Sequence, residues 1–170
     1  MTPRTALGSI AAPERLNIQH DLSEFDCGEP VIDDWLRNQA HSVEGRTART
    51  YVVTEGGRRV VGYYAIATGS VERVQLPKKA QRRTPDPVPI GIVARLGVTR
   101  PWRGRGLGSD LLKDALKRLV SASEIVGLRG VLVHALTDRA VDFYRDHQFQ
   151  SSPIDERTLF LPIETIVASL

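Results

Sequence analysis

A glycine-rich hexamer, Arg103-Gly104-Arg105-Gly106-Leu107-Gly108, lies between a run of strand-forming residues and an apolar stripe with helical spacing. The first turn of a helix offers free backbone N–H groups and the positive end of the helix dipole. Glycine carries no side chain that would hold a phosphate away from those groups, and the two arginines add positive charge. The hexamer therefore predicts a pyrophosphate-binding loop at the start of a helix.

Two widespread phosphate-binding loops fit this stretch less well. A P-loop ends in Gly-Lys-Ser/Thr, whereas this stretch continues as Gly108-Ser109-Asp110 without a lysine. A dinucleotide-binding loop follows G-x-G-x-x-G, and here a serine stands where the last glycine belongs. A third pattern, R/Q-x-x-G-x-G/A, is matched by Arg103, Gly106 and Gly108. The remaining alternative is an ordinary glycine-rich connection ahead of a helix.

The segments around the hexamer predict a mixed α/β fold. Residues 90–98 read as a strand that contains Gly91 and Gly97, and a glycine inside a strand often marks a bulge or a close approach by a ligand. Leucines and alanines from Leu107 to Leu119 form one helical stripe. Downstream we expect a strand at 131–135, a helix at 138–146 and a closing strand at 158–163.

The first half of the chain predicts one helix and a hairpin. We expect a strand at 16–20, a helix at 29–43, and strands at 50–54 and 60–71 joined by a Gly56-Gly57 turn. The long basic loop at 72–89 is of a length that is usually functional or mobile. The whole order, β-α-β-β-β-α-β-α-β, predicts a single domain over residues 1–170, with residues 1–15 as a loose leader.

Charge is unevenly distributed along the chain. The net charge of the 170 residues is +3, yet residues 45–105 hold 13 Lys and Arg against 3 Asp and Glu. A basic middle between acidic flanks favours a polyanionic partner; the alternative is a solvated surface without a specific role. No apolar run approaches the roughly 20 residues of a membrane helix, and the first residues do not read as a signal peptide. We therefore expect a cytoplasmic protein without membrane contact.

The stretch from about Leu16 to Ile163 resembles the GNAT N-acetyltransferases. This resemblance implies acetyl-coenzyme A as co-substrate and a central mixed, mostly antiparallel sheet, splayed at the acetyl-CoA site and flanked by helices. It implies cofactor contacts from the backbone of the hexamer and from a strand segment whose amides pair with the pantetheine and polarise the thioester carbonyl. The implied cofactor-binding residues are Leu96, Gly97, Val98, Arg103, Gly104, Arg105, Gly106, Leu107 and Gly108.

A later helix resembles the family signature N-x-x-A-x-x-x-Y-x-x-x-G-F. Here it reads Thr137-x-x-Ala140-x-x-x-Tyr144-x-x-x-Gln148-Phe149, so Thr replaces Asn and Gln replaces Gly. Tyr144 is the candidate proton donor to the leaving thiolate, because a tyrosine with a reference pKa of about 10 stays protonated at neutral pH. The alternative is a packing tyrosine beside Phe143.

Several short runs, including Phe25-Asp26-Cys27-Gly28, Asp34-Trp35-Leu36 and Arg49-Thr50-Tyr51-Val52-Val53, resemble the GNAT toxins of toxin–antitoxin modules. That narrower resemblance implies acetylation of the α-amine on charged tRNA, which blocks translation, a ribbon-helix-helix antitoxin as partner, and a homodimer. Basic residues outside the hexamer would then contact tRNA phosphates, or pair with the antitoxin or with acidic parts of the protein. The candidates are Arg46, Arg49, Lys78, Lys79, Arg82, Arg83 and Arg95.

No general base stands out. Glu29, Asp33, Asp34 and His41 lie on the predicted substrate side, but an α-amine with a pKa of about 7.7–8.0 is partly neutral without help. Cys27 lacks a neighbouring histidine and is expected to be a packing residue rather than a nucleophile. The four histidines show no metal-binding spacing, so no metal is expected.

Two further functions stay open at this point. One is a GNAT enzyme that acetylates a small amine or a protein N-terminus. The other is a non-catalytic module that uses the fold to bind coenzyme A or RNA.

Overall fold

The structure, a computed structural model, describes residues 9–170. Its strands are β1 Glu14–Arg15, β2 Arg49–Glu55, β3 Arg59–Val71, β4 Val88–Val98, β5 Gly130–His134, β6 Gln150–Ser151 and β7 Thr158–Pro162. Its helices are α1 Pro30–Asn38, α2 Ala40–Val43, α3 Leu107–Ser123, α4 Asp138–Asp146 and α5 Ile163–Ser169. Three 3-10 helices cover Arg73–Gln75, Lys78–Gln81 and Arg100–Trp102.

The strands pair in the order β1-β2-β3-β4-β5-β7-β6, which gives a seven-stranded sheet. The sheet is mostly antiparallel, with β4 and β5 as its parallel pair. This confirms the predicted mixed sheet of a GNAT fold. The register of that parallel pair sets Gly91–Val93 opposite Val131–Val133, while β4 continues to Val98.

The chain forms two compact units. The first contains the residues up to Ala65 together with Arg95–Asp114, and the second contains Ile66–Ala94 together with Ala115–Leu170. Phe25, Leu36 and Tyr63 are fully buried in the core of the first unit. The core of the second unit includes Leu76, Ile90, Leu132 and Phe160. The single domain stays a prediction from the sequence.

Three predicted elements differ from the structure. The strand predicted at 16–20 is wrong, because the Asn17 side chain accepts the Gln19 amide at 2.8 Å and His20 Nδ1 accepts the Asn17 amide at 2.9 Å, which fixes a turn there. Strand pairing occurs two residues earlier, at β1. Of the predicted leader, residues 1–8 lie outside the described residues.

The helix predicted at 29–43 divides into α1 and α2 because Gln39 leaves the helical backbone region, with φ −124°. The loop predicted at 72–89 is shorter and more ordered, since it holds two 3-10 helices and β4 begins at Val88. β6 and α5 were not predicted. β6 has two residues and α5 has seven, and such short segments show no clear periodicity in the sequence. No helix within residues 9–170 combines the length and apolar character that a membrane crossing requires.

Candidate active site

The glycine-rich hexamer lies in the first unit, between the 3-10 helix Arg100–Trp102 and α3, which begins at Leu107. Gly104 has φ +71° and Gly106 has φ +82°, a left-handed region that strains any side chain. A β-carbon built on either glycine would meet open space. Backbone conformation therefore requires glycine here, and the face above both residues is open to a ligand.

Backbone hydrogen bonds flank this loop on both sides but leave some of its amide groups without an acceptor. Trp102 N donates to Thr99 O at 3.0 Å, Arg103 N donates to Arg100 O at 3.1 Å, and Asp110 N donates to Gly106 O at 3.1 Å. Within residues 9–170, the amides of Leu107, Gly108 and Ser109 in the first turn of α3 have no backbone hydrogen-bond acceptor. A row of unused N–H groups at the start of a helix fits a pyrophosphate.

The two arginines of the hexamer differ in their contacts. The Arg105 guanidinium lies 5.7 Å from the ring centroid of Trp102, whose Nε1 donates to Glu55 Oε2 at 3.2 Å. The Arg103 guanidinium donates a hydrogen bond to the backbone carbonyl of Cys27. Both side chains were predicted to add charge for phosphates. Both residues are exposed, and the Arg103 guanidinium differs in its bond to the carbonyl of Cys27.

The segment Leu96–Val98 ends β4 in the first unit. A β-carbon on Gly97 would lie 2.7 Å from Ile32 Cγ2, 3.3 Å from Phe25 Cζ and 3.5 Å from Cys27 Sγ. The space that a side chain would need is thus filled by protein. Packing explains why glycine stands at position 97, and the role of the backbone in holding a pantetheine stays a prediction.

Tyr144 lies on α4 in the second unit. Its ring packs edge-on against Phe143 and Phe149, with centroids 5.2 Å and 5.4 Å away. Burial raises the pKa of the Tyr144 phenol to about 12, so the group is neutral at any physiological pH.

The structure shows how the two residues that depart from the helix signature, Thr137 and Gln148, fit at the ends of α4. Thr137 is the N-cap of α4, and its Oγ1 accepts the Ala140 amide at 3.1 Å. Gln148 follows the helix with φ +74°, a conformation that suits the glycine of the signature better. The exit from α4 therefore places a residue with a side chain in the left-handed region.

Four of the predicted tRNA-contacting residues form one surface cluster in the second unit. Lys78 and Lys79 lie on a 3-10 helix, and Arg82 and Arg83 follow directly. All four side chains are exposed, and none has an ion-pair partner among residues 9–170. We call this cluster the basic loop.

The other three predicted contacts lie in the first unit and differ from one another. Arg46 is exposed. Arg49 is half-buried and its Nη1 lies 3.4 Å from Ala48 O. The Arg95 guanidinium lies 5.6 Å from the ring centroid of Trp35, a cation–π contact. Arg49 and Arg95 thus have contacts within the protein itself.

The remaining candidates do not form a nucleophile or a metal site. Cys27 is buried, and burial together with a hydrogen bond to Asp33 raises the pKa of its thiol to about 12, which keeps it protonated. Asp33 is itself buried and accepts the Cys27 amide at 2.9 Å, and Asp34 pairs with Arg37 at 3.2 Å. No group of three or more possible metal ligands occurs among residues 9–170.

Comparison with known proteins places this fold and loop in one class. The acetyltransferase (GNAT) domain model matches residues 46–151, which is more than half of the chain. The chain belongs to the GNAT acetyltransferase family and is an acetyl-CoA-dependent acetyltransferase.

Its relatives narrow the class further. Over 157 residues it is 45% identical to the tRNA-acetylating toxin of Mycobacterium tuberculosis (strain ATCC 25618 / H37Rv), covering 91% of this chain and 93% of that protein. The fold is similar to AtaT complexed with acetyl-methionyl-tRNAfMet, with a TM-score of 0.86, 30% identity and coverage of 95% and 99%. It is also similar to a mutant AtaT toxin bound to the C-terminus of the antitoxin AtaR and acetyl-CoA, with a TM-score of 0.80, 27% identity and coverage of 94% and 97%.

Proposed function

We propose that this protein transfers the acetyl group of acetyl-CoA to the α-amine of an aminoacyl-tRNA and thereby acts as a toxin that blocks translation. The family supplies the reaction class, and the relatives with a tRNA-acetylating name or a bound acetylated tRNA support the acceptor. The observation that carries the proposal is the row of unused amides from Leu107 to Ser109 at the start of α3, directly after the open Gly104 and Gly106.

The coenzyme would supply the acetyl group as a reactive thioester, and the chain would bind and orient it. Amides of the hexamer would hold the pyrophosphate, with glycine at 104 and 106 keeping the approach open. The backbone of Leu96–Val98 would hold the pantetheine arm and polarise the thioester carbonyl through an N–H group.

An α-amine acceptor fits a site in which no carboxylate is required to act as a base. Asp33 accepts the Cys27 amide and Asp34 pairs with Arg37, so both carboxylates have partners within the protein. A group with a pKa of about 7.7–8.0 has a useful neutral fraction at pH 7, whereas a lysine side chain at about 10.4 has very little. The acceptor therefore needs no dedicated base.

Tyr144 would act mainly as a fixed hydrogen-bond donor to the leaving sulfur. With a pKa of about 12, full proton transfer from Tyr144 to a thiolate of ordinary pKa, about 8.5, is uphill. A hydrogen bond from the phenol still stabilises the negative charge that develops on sulfur, because it is made in a buried, weakly screened environment.

The basic loop would contact tRNA phosphates, which supply much of the affinity in RNA binding without specifying the sequence. An antitoxin partner is supported by the AtaT–AtaR complex, and we extend this proposal to a ribbon-helix-helix antitoxin and to a homodimer. Coexpression with the neighbouring small gene product, and light scattering of the purified protein, test these two points.

The central experiment measures labelled acetyl transfer from acetyl-CoA to total aminoacyl-tRNA. We expect transfer with the wild type, almost none with Tyr144→Phe, and none to deacylated tRNA. Transfer to small amines or protein N-termini with no transfer to charged tRNA would contradict the proposal and favour another GNAT acceptor. Coenzyme binding without any transfer would indicate a non-catalytic module.

A further inference from the structure

In the first unit, the segment Asp26–Gly28 is bonded to the turn that leads into the hexamer. Asp26 N donates to Thr99 Oγ1 at 3.2 Å, and Arg100 N donates to Asp26 O at 2.9 Å. Arg100 Nε donates to Asp26 Oδ1 at 3.3 Å, and the Arg103 guanidinium donates to Cys27 O. The two segments are more than seventy residues apart in the chain, so this is a tertiary junction.

Gly28 makes room for this junction. Its φ is +92°, and a β-carbon there would lie 2.9 Å from Arg103 Nη2 and 3.2 Å from Arg100 Nη2. Gly28 N also donates to Asp26 Oδ1 at 3.0 Å, which holds the segment in this turn. A side chain at position 28 would both strain the backbone and push the two guanidinium groups away.

The segment is anchored on its other side as well. Cys27 N donates to the buried carboxylate of Asp33 on α1, and Cys27 Sγ packs against the face of Gly97 that lacks a side chain. Asp26–Gly28 is therefore fixed to α1, to the end of β4 and to the turn before the hexamer. We call this segment the brace.

We propose that Arg103 is a positioning residue whose guanidinium holds the hexamer against the brace, and that Asp26 contributes to coenzyme binding through the same contacts. This inference rests on the proposed function, because it assumes that the hexamer binds the coenzyme pyrophosphate. Donors held in place before the ligand arrives bind it better than donors that must first be ordered. Arg103 acts here through Cys27 O and not as a cation on the phosphates.

Replacing Asp26 distinguishes two explanations, because they predict opposite changes in the affinity for coenzyme A. Removing a carboxylate near a polyanion site strengthens coenzyme binding if only charge matters. Removing Asp26 weakens binding if the brace positions the amides, by roughly three- to tenfold, the effect of one hydrogen bond. Asp34→Ala is the matched control, since Asp34 is an exposed, arginine-paired carboxylate of the same unit without contact to the hexamer.

The experiment measures the Kd for coenzyme A by calorimetry, at two salt concentrations, for wild type, Asp26→Ala, Asp34→Ala and Arg103→Lys, with melting curves for each. We expect weaker binding by Asp26→Ala and Arg103→Lys, because lysine keeps the charge but not the planar fork. For Arg103→Lys, which keeps the charge, the dependence of log Kd on salt should stay that of the wild type.

Unchanged or tighter binding by Asp26→Ala, or full retention by Arg103→Lys, overturns this inference while the proposed function stands. If Asp26→Ala does not fold, Arg103→Lys decides alone. A wild-type protein that binds no coenzyme A overturns the proposed function instead, and the inference with it.

Discussion

A β-carbon built on Gly97 would lie 2.7 Å from Cγ2 of Ile32, closer than real side chains approach each other. Ile32 is on α1, whose backbone carbonyl at this residue also accepts the Tyr63 hydroxyl at 2.7 Å. The neighbouring Trp35 stacks on the Tyr63 ring with an interplanar angle of 4°. One turn of α1 is thus fitted tightly against β3 and the end of β4, so a side chain at position 97 would force its neighbours to move.

We expect Gly97→Ala to lower the free energy of unfolding by about 1–3 kcal/mol, because α1 must shift to admit a methyl group. Urea unfolding measures this change. Gly127→Ala is the control, since a β-carbon there meets nothing within 4 Å and the backbone φ is not in the left-handed region. Equal stability of the two variants would show that the tight contact at position 97 relaxes without cost.

Tyr144→Phe is expected to lower kcat by about 10²-fold while the Kd for coenzyme A stays unchanged, because the variant loses a donor used only as sulfur leaves. The wild-type pH profile of kcat should show no downturn near 10.0, the ordinary pKa of tyrosine, since burial moves the pKa of Tyr144 to about 12. Steady-state kinetics with coenzyme titrations measure both. An unchanged kcat would leave Tyr144 as a packing residue.

The hexamer and its surroundings were predictable because local rules govern them. A strand, a glycine-rich turn and a leucine stripe each have their own periodicity or composition, and the structure confirms β4, the loop and α3 in that order. The hairpin β2–β3 was visible in its β-branched residues and its Gly56-Gly57 turn. The helix α4 was predicted over 138–146 from its apolar spacing, which the structure confirms, but its N-cap was expected at Asp138 and is Thr137.

The partners of those elements were not predictable. Asp26 and Thr99 are joined across more than seventy residues, and nothing in either local sequence signals the bond. The run Phe25-Asp26-Cys27-Gly28 was visible in the sequence as a resemblance to the GNAT toxins. Its bond to Arg103 appears only in the folded structure. Likewise, only the packed structure shows that Gly97 makes room for side chains of the protein itself.

Gln148 adopts φ +74°, which costs a side-chain-bearing residue about 1–2 kcal/mol relative to glycine. We therefore expect Gln148→Gly to raise the free energy of unfolding by up to about 1 kcal/mol, because the greater backbone entropy that glycine gives the unfolded chain offsets part of the relieved strain. Asp142→Gly, at an exposed position in the middle of α4, is the control and should destabilise by a few tenths of a kcal/mol. Destabilisation by both substitutions would mean that Gln148 has contacts that outweigh its strain.

The basic loop should contribute to tRNA affinity through charge alone. Replacing Lys78 and Lys79 by glutamine is expected to weaken tRNA binding several-fold and to reduce the salt slope of log K by about 1–2. Acetylation of a minimal aminoacyl-oligonucleotide should change little. The control is Lys113→Gln with Lys117→Gln, two exposed lysines of α3. Equal salt slopes for both double variants would remove the basic loop from the RNA interface.

The buried phenol of Tyr144 makes the fold sensitive to alkali. Its folded pKa of about 12 lies above the ordinary 10.0, so above pH 10 the unfolded chain releases this proton while the folded chain keeps it. The unfolded state binds fewer protons in that range, and stability therefore falls as pH rises. The contribution is fully present below pH 10 and is lost towards pH 12, a change of about 2–3 kcal/mol for a shift of two pKa units.

We expect the free energy of unfolding of the wild type to drop by that amount more than the free energy of unfolding of Tyr144→Phe, whose phenyl ring cannot ionise. Denaturant unfolding of both proteins at several pH values, together with a tyrosinate absorbance titration, measures this difference. Parallel curves of stability against pH would contradict the buried, neutral phenol on which the proposed hydrogen bond to sulfur depends.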